Sequence, residues 1–373
     1  MKGCPQALGL GDFRRGIKSF RGMSGETGAG FASILALLAT PSVCIVLEPF
    51  MNLKLALIAA LLSVGNTAFA QTKWDLPVAY PATNFHTENI TQFAKEVDAA
   101  TGGKLKIAVH ANASLFKAPE IKRAVQSGQA QAGEILLANF ANENPIYALD
   151  GVPFLATSYP EARRLYDASK PALEKLLAAQ GIKLLFSVPW APQGIYSKRE
   201  INSVGDLRGI KWRAYSPATA KIAELIGAQP VQIQQAELSA AMATGVIESY
   251  MSSGSTGFDT KTYEHLKNFY DTQAWIPKNA VLVNLKSFNA LDSASQAAVL
   301  KVSADAETRG WKVAEEKNVE YKRLLTERGM KIHKPSDKLN TDMRQVGAIM
   351  QADWLKAAGP EGSAIVDAYK AKK

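Results

Sequence analysis

The chain contains 373 residues and carries a formal net charge of +9, from 43 lysines and arginines against 34 aspartates and glutamates. Its basic residues are spread along the sequence without a basic run or interleaved aromatic residues, which argues against a nucleic-acid-binding surface. A weak positive field of this kind favours a small anionic ligand.

The first feature in chain order is an export signal that begins inside the sequence, at Met51. Residues 51–70 contain one early lysine, Lys54, then the apolar run 55–62 and a stretch of small residues that ends in Ala-Phe-Ala. A short positive region, an apolar stretch of about 7 to 15 residues and an A-x-A end define a secretory signal peptide. The alternative is a membrane anchor, but the run is shorter than the about 20 residues that span a bilayer. We therefore predict a cleaved signal peptide at 51–70 and a periplasmic protein.

Residues 1–50 fit neither an anchor nor a signal. A glycine-rich polar stretch precedes an apolar patch at 31–47, and no secretory cleavage site leads from it into a fold. We interpret 1–50 as an extension that comes from a start codon assigned too far upstream. The alternative is a twin-arginine export signal at Arg14 and Arg15, but the apolar patch lies too far beyond this pair.

Cleavage after residue 70 changes the composition of the chain. Both cysteines, Cys4 and Cys44, are removed, so we expect neither disulfide nor thiol chemistry in the mature protein. The cleaved part holds six lysines and arginines and three acidic residues, so the net charge falls from +9 to +6. Residues 71–373 are still numerous enough to form two domains.

The first part of the mature chain alternates short apolar runs with helical patterns, which is typical of an α/β fold. The helix predicted at 84–100 places Ile90, Phe93 and Val97 on one face and stops at a Thr-Gly-Gly sequence. The other predicted helices are 119–126 and 161–180, and the predicted strands are 74–80, 105–110, 130–137 and 183–188.

A second unit with the same alternation begins near Gly194. Its predicted strands are 195–197, 210–214, 229–233 and 247–251. Its predicted helical segments are 203–207, 217–226 and 237–243. A loop is predicted at 252–257, and a strand at 280–284 returns to the first unit. A helix from Ser293 to Arg328 would extend about 50 Å, long enough to brace both units. The predicted domains are therefore 71–193 with 281–325, and 194–280 with 326–373.

Several segments of the mature chain together follow a recognisable order and spacing. They are FAKEV at 93–97 with TGGKL at 101–105, AVQSG at 124–128, VPFL at 152–155, DLRGIKWR at 206–213, IGAQPV at 226–231 and AAMATGVIE at 240–248. With these segments, residues 74–330 resemble the extracytoplasmic solute-binding proteins of tripartite ATP-independent periplasmic (TRAP) transporters, of the dicarboxylate-binding-protein-like family. Each segment is weak by itself, and the family is indicated by their common order and spacing.

The resemblance implies a two-domain clam-shell that closes around an organic anion and delivers it to a membrane permease. In this family an arginine on a second-domain strand forms a paired salt bridge with the ligand carboxylate, and the matching residue is Arg213. A guanidinium matches a carboxylate bidentately and stays charged. Strand alternation places Arg213 opposite Trp212 and Ala214, at the carboxyl end of its strand, where open α/β sheets bind ligands. The alternative is a surface arginine paired with an acidic residue.

The chain also departs from the family pattern. Many dicarboxylate and sialic-acid binders of the family carry a second arginine in a G-x-R element, where this chain has Tyr196, and an asparagine where it has Ser252. The second charge clamp is therefore missing. We expect Tyr196, Ser252 and Ser253 to donate neutral hydrogen bonds to a hydroxyl or keto oxygen beside one carboxylate.

Bulky side chains at predicted turns complete the candidate binding site. Ligand pockets are mostly apolar, so aromatic residues at strand ends suggest a ligand with a ring or an apolar body. Domain packing is the alternative for each of them, and a capping role is the alternative for the histidine. A buried strand carboxylate needs a partner, so the glutamate is expected to orient a donor or a water. These residues are Phe85, His86, Glu134, Asn139, Phe140, Trp190 and Trp275.

An extracytoplasmic enzyme is the main alternative from another class. The mature chain has no cysteine and four histidines, none in an H-x-x-x-H or H-E-x-x-H pattern, and it has no G-x-S-x-G elbow. We therefore expect no catalysis, no cofactor and no metal site. A sensory binding module remains open as an alternative to transport. The favoured ligand is an aromatic or branched 2-oxo or 2-hydroxy monocarboxylate, with sugar acids and dicarboxylates as alternatives.

Overall fold

A computed structural model describes residues 71–371, so the predicted signal peptide and upstream extension lie outside the described residues. The described chain alternates strands and helices, which confirms the predicted α/β class. The strands are β1 Thr72–Pro77, β2 Leu105–His110, β3 Ala132–Leu136, β4 Ile182–Pro189, β5 Gly194–Ser197, β6 Lys211–Ala214, β7 Gln229–Gln232, β8 Ser249–Ser252, β9 Asn268–Tyr270, β10 Lys278–Asn284 and β11 Lys331–His333.

The helices surround these strands. They are α1 Phe85–Ala100, α2 Ile121–Ser127, α3 Tyr159–Ala179, α4 Pro217–Leu225, α5 Leu238–Ala243, α6 Gly254–Asp259, α7 Leu285–Asn289, α8 Ser293–Glu327 and α9 Asp337–Ala371. Short 3-10 turns cover Leu137–Phe140, Pro145–Gly151, Val204–Leu207, Gln235–Glu237 and Thr262–Glu264.

The strands form three sheets that divide into two groups along the sequence. In the first group, β1 pairs in parallel with β2, and β10 lies between β3 and β4, antiparallel to both. The second group is one six-stranded sheet of order β11-β9-β5-β8-β6-β7, in which β6 runs parallel to β7 and β8. The first group uses residues 72–189 and 278–284, and the second uses 194–270 and 331–333. The domain boundaries stated above stay a prediction.

Helix-capping residues explain where two helices begin. The Ser158 side chain accepts a hydrogen bond from the Glu161 backbone, and the Glu161 side chain accepts one from the Ser158 backbone, so α3 begins at a capping box. In the same way Ser253 caps α6 by accepting from the Thr256 backbone. The prediction of a loop at 252–257 was therefore wrong, because β8 ends at Ser252 and a helical turn follows its cap.

The long helix α8 contacts α1 and β4 of the first group and α6 and β11 of the second. At 1.5 Å per residue its 35 residues span about 52 Å, which agrees with the predicted brace. Its one glycine, Gly310, faces β4, and a Cβ there would lie 2.4 Å from Val188. Glycine is needed at this point because the helix and the strand approach too closely for any side chain.

The unpredicted elements in the last third of the chain include β9, β11 and α9. β9 and β11 are three-residue strands that pair in parallel at one end of the six-stranded sheet. α9 follows them and is interrupted at Gly359, where φ is 59°. Leu339 and Met343 of α9 belong to the hydrophobic cluster under the six-stranded sheet, whereas Trp354 packs in the cluster of the first group. The C-terminal helix thus joins both cores.

Candidate ligand-binding site

A cavity of about 450 Å³, open solvent at its mouth included, lies where carboxyl ends of strands from both groups meet. Ligands of open α/β sheets bind at this edge, because the chain leaves each strand there and frees side chains from packing. The lining comprises Ala79, Tyr80, Ala118, Leu136, Asn139, Trp190, Gln193, Arg213, Tyr215, Gln234, Gln235, Ser252, Ser253, Thr256 and Pro277. The first group therefore supplies one wall and the six-stranded sheet the other.

Arg213 supplies the positive charge of the cavity. It lies in β6 between two parallel neighbours, and its side chain is 2 % exposed. Its Nε donates to the Ile233 carbonyl at 3.0 Å, while the guanidinium lies 5.0 Å from the Tyr215 ring centre and 5.6 Å from that of Tyr250. Burial lowers the pKa of Arg213, but an arginine stays protonated in proteins at any physiological pH. The cation is thus held rigidly by a carbonyl and two rings.

The guanidinium of Arg213 lacks an ionic partner. Its Nη1 is buried without a hydrogen bond, and no carboxylate in residues 71–371 pairs with it. A buried charge is costly unless it is paired and hydrogen-bonded. The arrangement therefore favours an anion that fills this position, and a carboxylate fits the planar fork of donors best.

Two further lining residues present polar atoms without partners. The Oδ1 of Asn139 and the Nε2 of Gln235 are both buried, and neither forms a hydrogen bond within the described chain. Gln193 and Tyr215, in contrast, are engaged: the Tyr215 hydroxyl donates to Gln193 Oε1 at 3.2 Å, and Gln193 Nε2 donates to the Ala191 carbonyl. These two unpartnered atoms, an acceptor and a donor, are available in the cavity lining in addition to the cation.

The wall of the first group is aromatic. Tyr80 and Trp190 line the cavity and meet edge to face, with ring centres 4.9 Å apart at 67°. Both donate to Oδ1 of Asn279, the Trp190 indole at 2.8 Å and the Tyr80 hydroxyl at 3.4 Å. Their polar atoms are thus used behind the wall, and the rings present carbon to the ligand.

Three predicted ligand contacts lie behind this aromatic wall instead of on the cavity surface. Phe85 and His86 pack against Trp190, with ring centres 5.6 Å and 4.2 Å away. Glu134 is 2 % exposed; its Oε1 accepts from Asn279 Nδ2 at 2.9 Å and lies 3.4 Å from His86 Nδ1. Burial lowers the pKa of His86, against the opposing effect of Glu134. The predicted partner of the buried glutamate is therefore an amide.

Three other predicted contacts also lie away from the lining. Tyr196 stacks on Tyr250 and donates to the Ser253 carbonyl at 2.9 Å, so its hydroxyl is used inside the protein. Phe140 packs under Lys122, whose ammonium is 5.3 Å from the ring centre. Trp275 is 2 % exposed in the core under the six-stranded sheet. Of the eleven predicted residues, the lining includes Arg213, Ser252, Ser253, Trp190 and Asn139.

Sequence reasoning missed Tyr80, Gln193, Tyr215, Gln234 and Gln235. Four of them follow a strand within three residues of its carboxyl end, as Tyr215 follows β6. The rule that ligands bind beyond strand ends would have selected these four. Gln193 gave no such signal, because it lies in the short crossing between β4 and β5.

The described residues hold no group of three His, Cys, Asp or Glu side chains arranged to bind a metal ion. Within residues 71–371, no helix combines the length and apolar character needed to cross a bilayer.

Comparison with known proteins agrees with this architecture. Residues 78–357 match the family model of bacterial extracellular solute-binding proteins, family 7. The structure is similar to that of DctP6, an extracytoplasmic solute receptor of Bordetella pertussis binding pyroglutamic acid, with 65 % identity and a TM-score of 0.80 over 80 % of this chain and 100 % of that one.

Two further solved structures are similar over the same part of the chain. A TRAP solute-binding protein from a marine metagenome, in complex with pyroglutamate, is 44 % identical, with a TM-score of 0.80 over 81 % of this chain and 99 % of that one. DctP7 of Bordetella pertussis, a receptor binding pyroglutamic acid, is 41 % identical, with a TM-score of 0.79 over 80 % and 99 %. These matches confirm the two-domain periplasmic-binding-protein fold. The chain belongs to family 7 of the bacterial extracellular solute-binding proteins and is an extracytoplasmic solute-binding protein of the TRAP type.

Proposed function

We propose that this protein captures pyroglutamate, the cyclic amide of glutamate, and delivers it unchanged to a TRAP permease. The observation that carries the proposal is the buried guanidinium of Arg213, which has no anionic partner within residues 71–371. One cation without a second clamp suits a ligand with one carboxylate. Three similar solved structures, at 65, 44 and 41 % identity, are of proteins that bind this ligand, which supports the same choice here.

The other polar atoms of the cavity match the amide of the ligand. The pyroglutamate ring carries one N–H and one C=O, and the cavity offers one unpartnered acceptor on Asn139 and one unpartnered donor on Gln235. Pairing them removes two buried unsatisfied groups, each of which costs about 1 to 3 kcal/mol when unpaired. The ring methylenes would then lie against Tyr80 and Trp190.

The 2-oxo and 2-hydroxy monocarboxylates favoured by the sequence use the same anchor. They bring a carboxylate to Arg213, but a 2-oxo acid has no N–H to donate to Asn139. Sugar acids bring several hydroxyl groups, while the hydroxyl of Tyr80 and the indole N–H of Trp190 are already engaged by Asn279. The lactam is therefore the better match for this set of atoms.

Capture and release would follow from closure of the two lobes. The cavity is lined by both groups of strands, so a ligand within it contacts both and stabilises the closed arrangement over the open one. Export through a cleaved signal peptide at 51–70 would place the protein in the periplasm, where the permease receives the ligand. No chemical step is required of any residue.

Calorimetry on ligand-stripped protein tests the proposal. We expect L-pyroglutamate to bind at least about tenfold more tightly than cyclopentanecarboxylate, which lacks the amide, and 2-pyrrolidinone, which lacks the carboxylate, to give no measurable binding. Phenylpyruvate, galacturonate and succinate complete the panel. Tighter binding of any of these three than of pyroglutamate would refute the proposed ligand.

A variant pair tests the anchor itself. Arg213→Ala should weaken pyroglutamate binding by at least about a hundredfold, because the ligand carboxylate is left buried without a cation. Arg323→Ala is the matched control, since Arg323 is an exposed residue of α8 paired with Glu327. Equal affinity of both variants would show that Arg213 is not the anchor.

A further inference from the structure

We propose that Asn279 is a positioning residue of the ligand site, and that Glu134 fixes the orientation of its amide. The inference rests on the proposed function, because it explains how the aromatic wall is set for a ring ligand. Neither side chain lines the cavity; Asn279 is 1 % exposed and Glu134 2 %. They act through Tyr80 and Trp190, which do line it.

The chemistry of the partners defines how the Asn279 amide points. The indole of Trp190 can only donate, so the atom at 2.8 Å from its Nε1 must be the amide oxygen. The amide nitrogen then faces Glu134, whose Oε1 accepts from it at 2.9 Å. A glutamate suits this position, because its Oε1 accepts from the amide nitrogen while the indole of Trp190 can only donate to the amide oxygen, and the two contacts together disfavour the flipped amide.

The backbone holds this pair in place. Asn279 lies in β10, the central strand of its sheet, opposite Leu136 of β3, and Glu134 pairs with Val281 of the same strand. The two side chains are therefore diagonal neighbours on one face of an antiparallel pair. On the other side of β10, the hydroxyl of Ser187 in β4 donates to the backbone carbonyl of Asn279 at 2.6 Å. The amide is thus attached to a fixed backbone, and its contacts with Trp190 and Glu134 hold the two side-chain torsions of Asn279.

The rings of Tyr80 and Trp190 are therefore held in place, and their polar atoms form hydrogen bonds on the side away from the cavity. Asn279 Oδ1 accepts from the Tyr80 hydroxyl as well as from Trp190, so one atom holds both rings. His86 closes the back of the cluster, 4.2 Å from Trp190 between ring centres. A ligand therefore meets carbon on this side, which favours ring methylenes and disfavours hydroxyl groups.

A reciprocal exchange of donor and acceptor tests the inference. Asn279→Asp places two carboxyl groups face to face and removes the donor to Glu134, so we expect pyroglutamate affinity to fall by about tenfold or more. The double variant Asn279→Asp with Glu134→Gln restores one donor and one acceptor in the reverse direction, and one Asp oxygen can still accept from Trp190. We expect it to recover at least half of the loss on a logarithmic scale, while Glu134→Gln alone measures the effect of the second change.

A second measurement does not need a ligand. The indole N–H resonance of Trp190, assigned by its absence in Trp190→Phe, should move in Asn279→Asp and return toward its wild-type position in the double variant. Asn268→Asp is the control, because Asn268 is a buried asparagine of β9 that contacts the Ser197 carbonyl away from the cavity.

The outcomes separate the two proposals. If wild-type protein fails to bind pyroglutamate, the proposed function is refuted, and the indole resonance still decides the positioning role. If the double variant binds as weakly as Asn279→Asp, or if the resonance is unchanged in Asn279→Asp, the positioning role is refuted. A single variant that does not fold, together with a double variant that folds and binds, supports it.

Discussion

Replacing Asp259 by asparagine should stabilise the folded protein at neutral pH and not in acid. Asp259 ends α6, and its Oδ2 accepts from Asn84 Nδ2, at the beginning of α1, at 2.7 Å. Burial raises the pKa of Asp259 from 3.8 to about 6, and the nearby charge of Glu88 adds to the increase. The carboxyl group therefore stays protonated in the folded protein at a pH at which the unfolded chain has already lost the proton.

The direction of the pH effect follows from this difference. Between about pH 4 and pH 6 the folded state binds more protons than the unfolded state, so the contribution of Asp259 to stability is present in acid and is lost as the pH rises through 6. A difference of about two pKa units corresponds to about 3 kcal/mol. Asparagine avoids this cost, because it is neutral at every pH and its amide oxygen still accepts from Asn84.

Thermal unfolding at several pH values measures the effect. At pH 7.5 the melting temperature of Asp259→Asn should exceed that of wild type by roughly 5 °C, and the difference should shrink steadily toward pH 4. Asp305→Asn serves as the control, since Asp305 is exposed and pairs with Lys301 on α8. A difference that is constant with pH, or that grows in acid, would refute the raised pKa.

Two further changes test the energetics of the site and of the brace. In the ligand-free protein, Arg213→Met removes a buried unpaired charge. We expect it to increase the unfolding free energy by about 1 to 4 kcal/mol and to abolish ligand binding. A lower unfolding free energy, measured by chemical denaturation, would contradict this account. Gly310→Ala should lower the unfolding free energy by about 1 to 3 kcal/mol, because the new Cβ would lie 2.4 Å from Val188. Unchanged denaturation curves would instead show that α8 can shift away from β4.

Local patterns predicted the fold well where the element is long or strongly periodic. The strand predicted at 105–110 matches β2 at both ends, and α8 differs from its prediction by one residue. The amphipathic face of α1 is also as predicted, with Phe93 and Val97 fully buried. These elements are specified by their own hydrophobic period, so their neighbours in space add little information.

Elements that depend on distant partners could not be predicted in this way. β9 and β11 have three residues each, too few to show a period, and they exist because they pair with each other and because β9 also pairs with β5. β1 ends at Pro77, three residues before its predicted end, and the chain then bends while Val78 still donates to the His110 carbonyl. That bend brings Tyr80 into the cavity.

The site shows the same limit at the level of single residues. Sequence position indicates which strand end a residue follows, and on that basis Trp190 and Asn139 were placed at the cavity that they line, whereas Ser252 was placed there by the family resemblance. It does not indicate depth, so Phe85 and His86 were expected at the surface of the cavity and lie one layer behind it. Depth is set by packing between lobes, which is absent from a single sequence.

The position of Tyr196 gives a physical reason for a ligand with a single carboxylate. Many dicarboxylate and sialic-acid binders of the family are expected to carry a second arginine here, but Tyr196 is fully buried, stacks on Tyr250 at 4.6 Å and donates its hydroxyl to the Ser253 carbonyl. Gly257 accommodates it, since a Cβ there would lie 2.2 Å from the Tyr196 hydroxyl. Tyr250 in turn lies under the Arg213 guanidinium. The residue at the position of the second cation therefore supports the first, so the cavity lining holds one buried positive charge where many dicarboxylate and sialic-acid binders of the family are expected to hold two.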